Sequence, residues 1–387
     1  MREIKVDPYG IRIMSVKGVT RLIRLKAISS IAANILKQEM LSLGGDVAVS
    51  RDTLTGRVKK TDCLLLGSLA QFSSLRQKLQ RQPFGLHVLG QAIAESLAEY
   101  GRDDFILRLG RHALDLSKRV HVMGIVNVTP DSFSGDGFLR AQDTRAEILR
   151  KILARVQQLI RDGADSIDIG GESSRPGAAR VSAKEEIARI APVISLLAKK
   201  ISLPISIDTY KPEVAKAALE CGAVLVNDIC GLREPAMARR VASYKAGVVL
   251  MHMKGSPRTM QKKPVYDNLI EEITEYLRQA IGRAVQAGID REKIVIDPGI
   301  GFGKTVAHNL EIMRRLREFK MLGRPILVGA SRKSFIGKVL KVGLGQRLCG
   351  SVSASVLAAC NGARMVRVHE VKENVQALQL FEAVEHS

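Results

Sequence analysis

A chain of 387 residues with 46% hydrophobic content is long enough for one large core and a smaller domain beside it. Its formal charge of +21 is diffuse, interleaved with acids along helical segments, and 4% aromatics with no Trp argue against a specific nucleic-acid module. MREIKVDPYG is no apolar leader and no apolar run nears the roughly 20 residues that span a bilayer, so export and membrane insertion are not expected.

Residues 1–115 mix helical and strand-like runs, with a helix expected over Leu22 to Met40 and a strand over Thr61 to Leu66, and read as a small α/β domain. Gly44-Gly45-Asp46 suits a turn better than a phosphate loop. Over 116–387 the pattern changes. Short apolar runs begin at His121, Ser166, Ile205, Val224, Val248, Ile294, Ile326 and Met365, and helical stretches such as Arg145 to Arg161, Glu185 to Lys199, Glu213 to Glu220, Asn268 to Ala287 and Leu310 to Phe319 alternate with them. Eight strand–helix repeats predict a closed (β/α)8 TIM barrel; an open doubly wound sheet more often uses five to seven strands.

The residues that follow these runs are polar. They are Asn127, Gly170-Gly171-Glu172, Asp208, Asn227-Asp228, His252, Asp297, Ser331-Arg332-Lys333 and Arg367 with His369. In a parallel barrel all such strand ends face one mouth. Asp208, Asn227-Asp228 and Asp297 supply three carboxylates and an amide, suited to a metal, to acid–base work or to a heterocycle with N–H donors; helix capping by Asp208 or Asn227 is the structural alternative. Arg332, Lys333, Arg367 and His369 point to an anion, Arg175 fits an anion clamp, and the polar loop after Asn127 suits a lid. Asp297-Pro298-Gly299-Ile300-Gly301-Phe302-Gly303-Lys304 has neither P-loop nor G-x-G-x-x-G spacing, so its glycines are read as a tight loop approached closely by a ligand. Five scattered cysteines without C-x-x-C spacing predict neither disulfides nor zinc, and fit a reducing cytoplasm; Cys230 is read as an inert thiol.

In order along the chain, NVTPDSFSGDGF, GGESSRPGA, SIDTYKP, VNDI, MHMKGSPRTMQ, IDPGIGFGK, GASRKS and RVH resemble the dihydropteroate synthase family, with Ser174 where Thr is common. The resemblance implies a transferase that condenses 6-hydroxymethyl-7,8-dihydropterin pyrophosphate with p-aminobenzoate. By it, Asp208, Asn227, Asp297 and Lys333 hold the pterin. Asn127, Arg175, Arg367 and His369 hold the pyrophosphate, and Asn127 is also a Mg²⁺ ligand. Phe133, Ser174, Arg175, Pro176 and Ser334 meet p-aminobenzoate, and Asp208, Lys333, Asp297, Arg367 and His369 are the catalytic set. A homodimer through the last barrel helices is also implied. A corrinoid-dependent methyltransferase shares the barrel and some pterin contacts but has no diphosphate to bind, and a non-catalytic pterin-binding protein would not need the leaving-group residues. The N-terminal domain, outside the resemblance, is expected to be a dispensable stabilising or oligomerising module, with a regulatory or ligand-binding role as its alternative.

Overall fold

The computed structural model describes residues 1, 3–129, 144–173, 180–256, 259–385 and 387, which form two compact units, Met1–Gly101 and Arg102–Ser387. In the first, strands β1 (Thr20–Ser29), β2 (Asp46–Val49) and β3 (Lys60–Ser68) form a sheet of order β1-β3-β2, both outer strands antiparallel to β3. Alternate β3 residues Cys63 and Leu65 pack with Leu36, Met40, Phe72, Leu75 and Leu79 from the helices Ser30–Ser42 and Leu69–Leu79. The helix expected from Leu22 therefore begins only at Ser30. Ser29 is its N-cap, accepting from the Ala32 N–H, and Leu22 to Ile28 are strand because pairing with β3 outweighs the helix propensity of Leu, Arg and Lys.

The second unit opens with a hairpin, β4 (Ile106–Leu109) and β5 (His112–Asp115). Eight parallel strands then close a barrel in sequence order: β6 (His121–Asn127), β7 (Ser166–Gly170), β8 (Ile205–Asp208), β9 (Leu225–Asp228), β10 (Gly247–Met251), β11 (Ile294–Asp297), β12 (Ile326–Val328) and β13 (Ala363–Val368). Helices including Arg145–Arg161, Ala183–Lys200, Pro212–Glu220 and Leu269–Gln286 lie between them. Local chemistry sets their starts: Thr144 and Glu147 make a reciprocal capping box, Ser182 caps the next helix, and Pro212 and Pro235 occupy first-turn positions.

Strand periodicity divides the barrel side chains into two cores. Val122, Ile167, Ile205, Val226, Val248 and Val366 pack with the surrounding helices. Their neighbours of opposite parity, Met123, Leu225, Val249, Val295, Leu327 and Met365, form an apolar interior layer that packs against Phe105, Leu107, Leu109, Leu114 and Leu116 of the hairpin segment. A Cβ on Gly247 would meet Leu109 at 2.4 Å, a measure of how closely the hairpin approaches the start of β10. The hairpin thus floors the barrel, and the division between units falls at Gly101, ahead of the boundary expected at 115.

Candidate active site

Two residues beyond the apolar floor, the inward positions of β9, β11 and β13 become polar, as Asn227, Asp297 and Arg367. Strand register links Asn127 to Gly170, Gly170 to Asp208 and Asp208 to Asn227, so four strand ends stand in one tier. Across the barrel, Arg367 donates from Nε to Asp168 Oδ2 at 2.5 Å and from Nη2 to Asp208 Oδ2 at 2.8 Å. Asn227 Nδ2 donates to the same Asp168 oxygen at 3.2 Å. Asp168 is wholly buried and was not singled out from sequence, because it sits inside an apolar-looking run; its position two residues after Ser166 and two before Gly170 is the period-2 signal that would have found it.

Burial dominates the electrostatics. It pushes the Asp208 carboxyl well above the ordinary range, Arg367 and Lys333 pulling the other way and Asp168 reinforcing the rise. Asp297 is pushed up to about 6 by burial, against the Gly299 N–H and the charges of Lys333, Lys304 and Arg367. For Arg367 burial opposes the charge, but Asp168 and Asp208 outweigh it and the guanidinium is raised. Lys333 Nζ lies 4.0 Å from the Phe302 ring centroid. Asp168, Asp208, Asn227, Asp297, Lys333 and Arg367 are therefore brought together at one mouth, with acceptors deep and cations beside them.

The loop after β11 is shaped by its glycines. Gly299 has φ +74, and a Cβ there would stand 1.9 Å from the His252 carbonyl oxygen, so no side chain fits. Beneath the loop Lys304 Nζ reaches His252 Nδ1 at 2.9 Å and the Phe302 carbonyl at 3.0 Å. Burial lowers Lys304 to about 7 and holds His252 well below the usual histidine range.

Several polar strand ends turn away from the mouth. Asp228 accepts from the Cys230 and Leu232 N–H groups at 2.8 and 2.7 Å, so it braces a turn; the third carboxylate of the cavity is Asp168 instead. His252 is 4% exposed and stacks edge-on against Tyr276. Glu172 and Glu186 share buried Lys211 at 3.1 and 2.6 Å. Arg332, expected among the anion-binding cations, has φ +58, and its Nε pairs with Glu370. Ser331 Oγ lies 2.9 Å from His369 Nδ1 and 3.1 Å from Glu370 Oε2, and accepts from the His369 backbone N–H at 3.2 Å. Burial raises the Cys230 thiol to about 12, consistent with an inert residue. Ser334 is the exposed first residue of the short helix Ser334–Leu340. Phe133, Ser174, Arg175 and Pro176, and most of the expected lid, lie outside the described residues.

The family described as pterin binding enzyme matches residues 123–369. The dihydropteroate synthase of Escherichia coli K12 is 46% identical over 271 residues, 70% of this chain and 93% of that protein. A probable bifunctional folylpolyglutamate synthase/dihydropteroate synthase of Halobacterium salinarum is 39% identical over 380 residues, 98% of this chain and 44% of the relative, so its likeness takes in the N-terminal unit as well. Among solved structures, the Yersinia pestis dihydropteroate synthase in a sulfonamide complex superposes with a TM-score of 0.69 at 44% identity, covering 73% of this chain and 100% of that one. The Xanthomonas albilineans dihydropteroate synthase with 4-aminobenzoic acid gives 0.67 at 42%, covering 73% and 99%. With its closed barrel and the cluster at its mouth, the chain belongs to the pterin-binding enzymes and, within them, to the dihydropteroate synthases, which are transferases.

Proposed function

We propose that the barrel mouth joins 6-hydroxymethyl-7,8-dihydropterin pyrophosphate to p-aminobenzoate, releasing 7,8-dihydropteroate and pyrophosphate, a step of folate biosynthesis. The observation that carries this reading is the placement of Arg367 between Asp168 and Asp208 in the cavity shared with Asn227, Asp297 and Lys333. Asp208, Asn227 and Asp297 complement the donor edge of a pterin, with Lys333 beside its carbonyl. Arg367 and His369, with Arg175, meet the diphosphate; Ser334, with Phe133, Ser174, Arg175 and Pro176, meets the amine substrate. The bond from the pterin methylene to the diphosphate oxygen breaks early, and the amine nitrogen then bonds to the methylene and sheds a proton. The cationic side chains stabilise the charge gathering on the leaving group.

Asn127 suits a Mg²⁺ carried by the substrate. Among the described residues no three His, Cys, Asp or Glu side chains gather as a metal cage. A Cβ on Gly170 would stand 3.2 Å from Asn127 Oδ1, so a side chain there would crowd that oxygen. One neutral oxygen fits a small, hard cation that keeps diphosphate and water as its other ligands. When bound, the ion would supply charge neutralisation at the diphosphate.

Purified protein mixed with the pterin pyrophosphate, p-aminobenzoate and Mg²⁺ should yield dihydropteroate and pyrophosphate together; absence of both defeats the proposal. Lys333→Ala and Asp208→Ala should each lower turnover by about 10²–10³ while the melting temperature stays near that of the parent. Exposed Leu344, Leu348, Leu357 and Leu380 on the last helical segments support a homodimer through that part of the barrel. Five unpaired cysteines and the lack, among the described residues, of any helix long and apolar enough to cross a membrane support a cytoplasmic site of action.

A further inference from the structure

Ser331 has three hydrogen-bonding neighbours and a single proton to give. The His369 backbone N–H can only donate to it, at 3.2 Å. Glu370 Oε2, at 3.1 Å, belongs to a carboxylate that also accepts from Arg332 Nε and can only accept. The hydroxyl proton therefore goes to Glu370, because directing it elsewhere would set two oxygens lone pair to lone pair. The remaining contact, 2.9 Å to His369 Nδ1, must then be a donation from the ring to Ser331.

We infer that Ser331 and Glu370 are positioning residues that keep a proton on His369 Nδ1, so that Nε2 is the ring nitrogen turned to the leaving diphosphate, which it meets as a donor with the ring doubly protonated. This rests on the reading of His369 as a diphosphate contact. The arrangement is braced from outside the cavity. Arg332, in its left-handed conformation, is turned back to Glu370, its N–H donates to Ser351 Oγ at 3.0 Å, and its carbonyl accepts from Arg347 at 3.0 Å. Arg155 donates to the His369 carbonyl at 3.2 Å, so both the backbone and the ring of His369 are held. A ring secured at one nitrogen loses less freedom when the other, carrying its own proton, donates to an anion; outer-shell partners orient metal-binding histidines by the same restriction of the ring, although there the second nitrogen offers its lone pair to a cation. It also gives Arg332, next to Lys333, a part in the arrangement: its Nε pairs with Glu370 and holds the carboxylate in place behind the serine.

Three measurements test this with the full-length protein. Nitrogen-15 NMR of histidine-labelled protein should show His369 bearing its proton on Nδ1, and Ser331→Ala should convert it to a mixture of tautomers. A neutral Nε2–H form in the parent protein would overturn the inference. Binding of inorganic pyrophosphate in the presence of Mg²⁺ should weaken about tenfold in Ser331→Ala and recover to within about twofold in Ser331→Thr, which restores the hydroxyl. The KM for p-aminobenzoate should stay within about twofold in both, a split that general loosening of the fold would not give. Equal pyrophosphate affinity in parent and Ser331→Ala would also overturn the assignment, and should the alanine variant not fold, the tautomer of the parent decides alone. The tautomer and the pyrophosphate affinity are read without turnover, so a protein with the expected tautomer and pyrophosphate response but no dihydropteroate formation would refute the proposed reaction and leave this inference standing.

Discussion

Asp297 shows what the site costs the fold. Burial moves its carboxyl from 3.8 to about 6, so keeping it ionised near neutrality costs roughly 3 kcal/mol. A folded pKa raised above the unfolded one contributes stability that is present in full below about 4 and lost as pH rises through about 6. Asp297→Asn, which keeps an oxygen for the Gly299 N–H, should therefore raise the melting temperature at pH 7.5 and abolish most turnover, with the stability gain shrinking toward zero below pH 4. A gain independent of pH would show that the penalty lies elsewhere. Asp168 makes the complementary case. Its carboxylate orients both Arg367 and Asn227, so Asp168→Asn should lower kcat/KM for the pterin substrate by at least tenfold and leave the KM for p-aminobenzoate nearly unchanged.

At the scale of elements, the mouth is held in shape by buried ties between neighbouring strand ends. Lys211, just after β8, donates to Glu186 on the helix Ala183–Lys200, to the carbonyl of Val181 and to Glu172 after β7. Glu172 in turn accepts from the Val181 N–H at 2.9 Å, so the chain at Val181 is gripped through both backbone groups. Removing the one cation leaves buried Glu186 and largely buried Glu172 facing each other. Lys211→Met should cost about 3–5 kcal/mol in urea unfolding, and Glu186→Gln made together with it should recover part of that loss. A melt of Lys211→Met indistinguishable from the parent would mean the network contributes little.

For the whole molecule, the consequence lies in where the two units divide. All residues of the two barrel cores fall within Arg102–Ser387. Phe105, Leu107, Leu109, Leu114 and Leu116 are each at most 8% exposed against the barrel floor. At about 1.5–3 kcal/mol per buried large side chain, their removal would take away an amount comparable to the entire stability of a domain. A chain starting at Arg102 should fold and retain synthase activity, whereas one starting at Ser117 should be insoluble or molten. If both truncations behave alike, the hairpin is not the floor it is described as.

Much of the barrel could be read directly from the sequence. The eight strand runs and the helices between them are local signals, since apolar periodicity and capping chemistry act over a few residues, and the ordered motifs marked the strand ends that carry polar groups. The same local rules failed at Leu22 to Ile28, where helix and strand propensities are close and only pairing with β3 decided. They failed again at the mouth, where every strand end looked alike. Which of two adjacent polar residues faces the cavity depends on parity relative to the closed sheet, so Asn227 turns in while Asp228 braces a turn, and Asp168, hidden between isoleucines, takes the place expected of Asp228. The pairing of Arg367 with Asp168, of Glu370 with Ser331 and of the hairpin with the barrel floor spans long stretches of chain. Residue type settled what each group could do, but only closure of the barrel brought the partners within reach, because burial and contact belong to the folded whole.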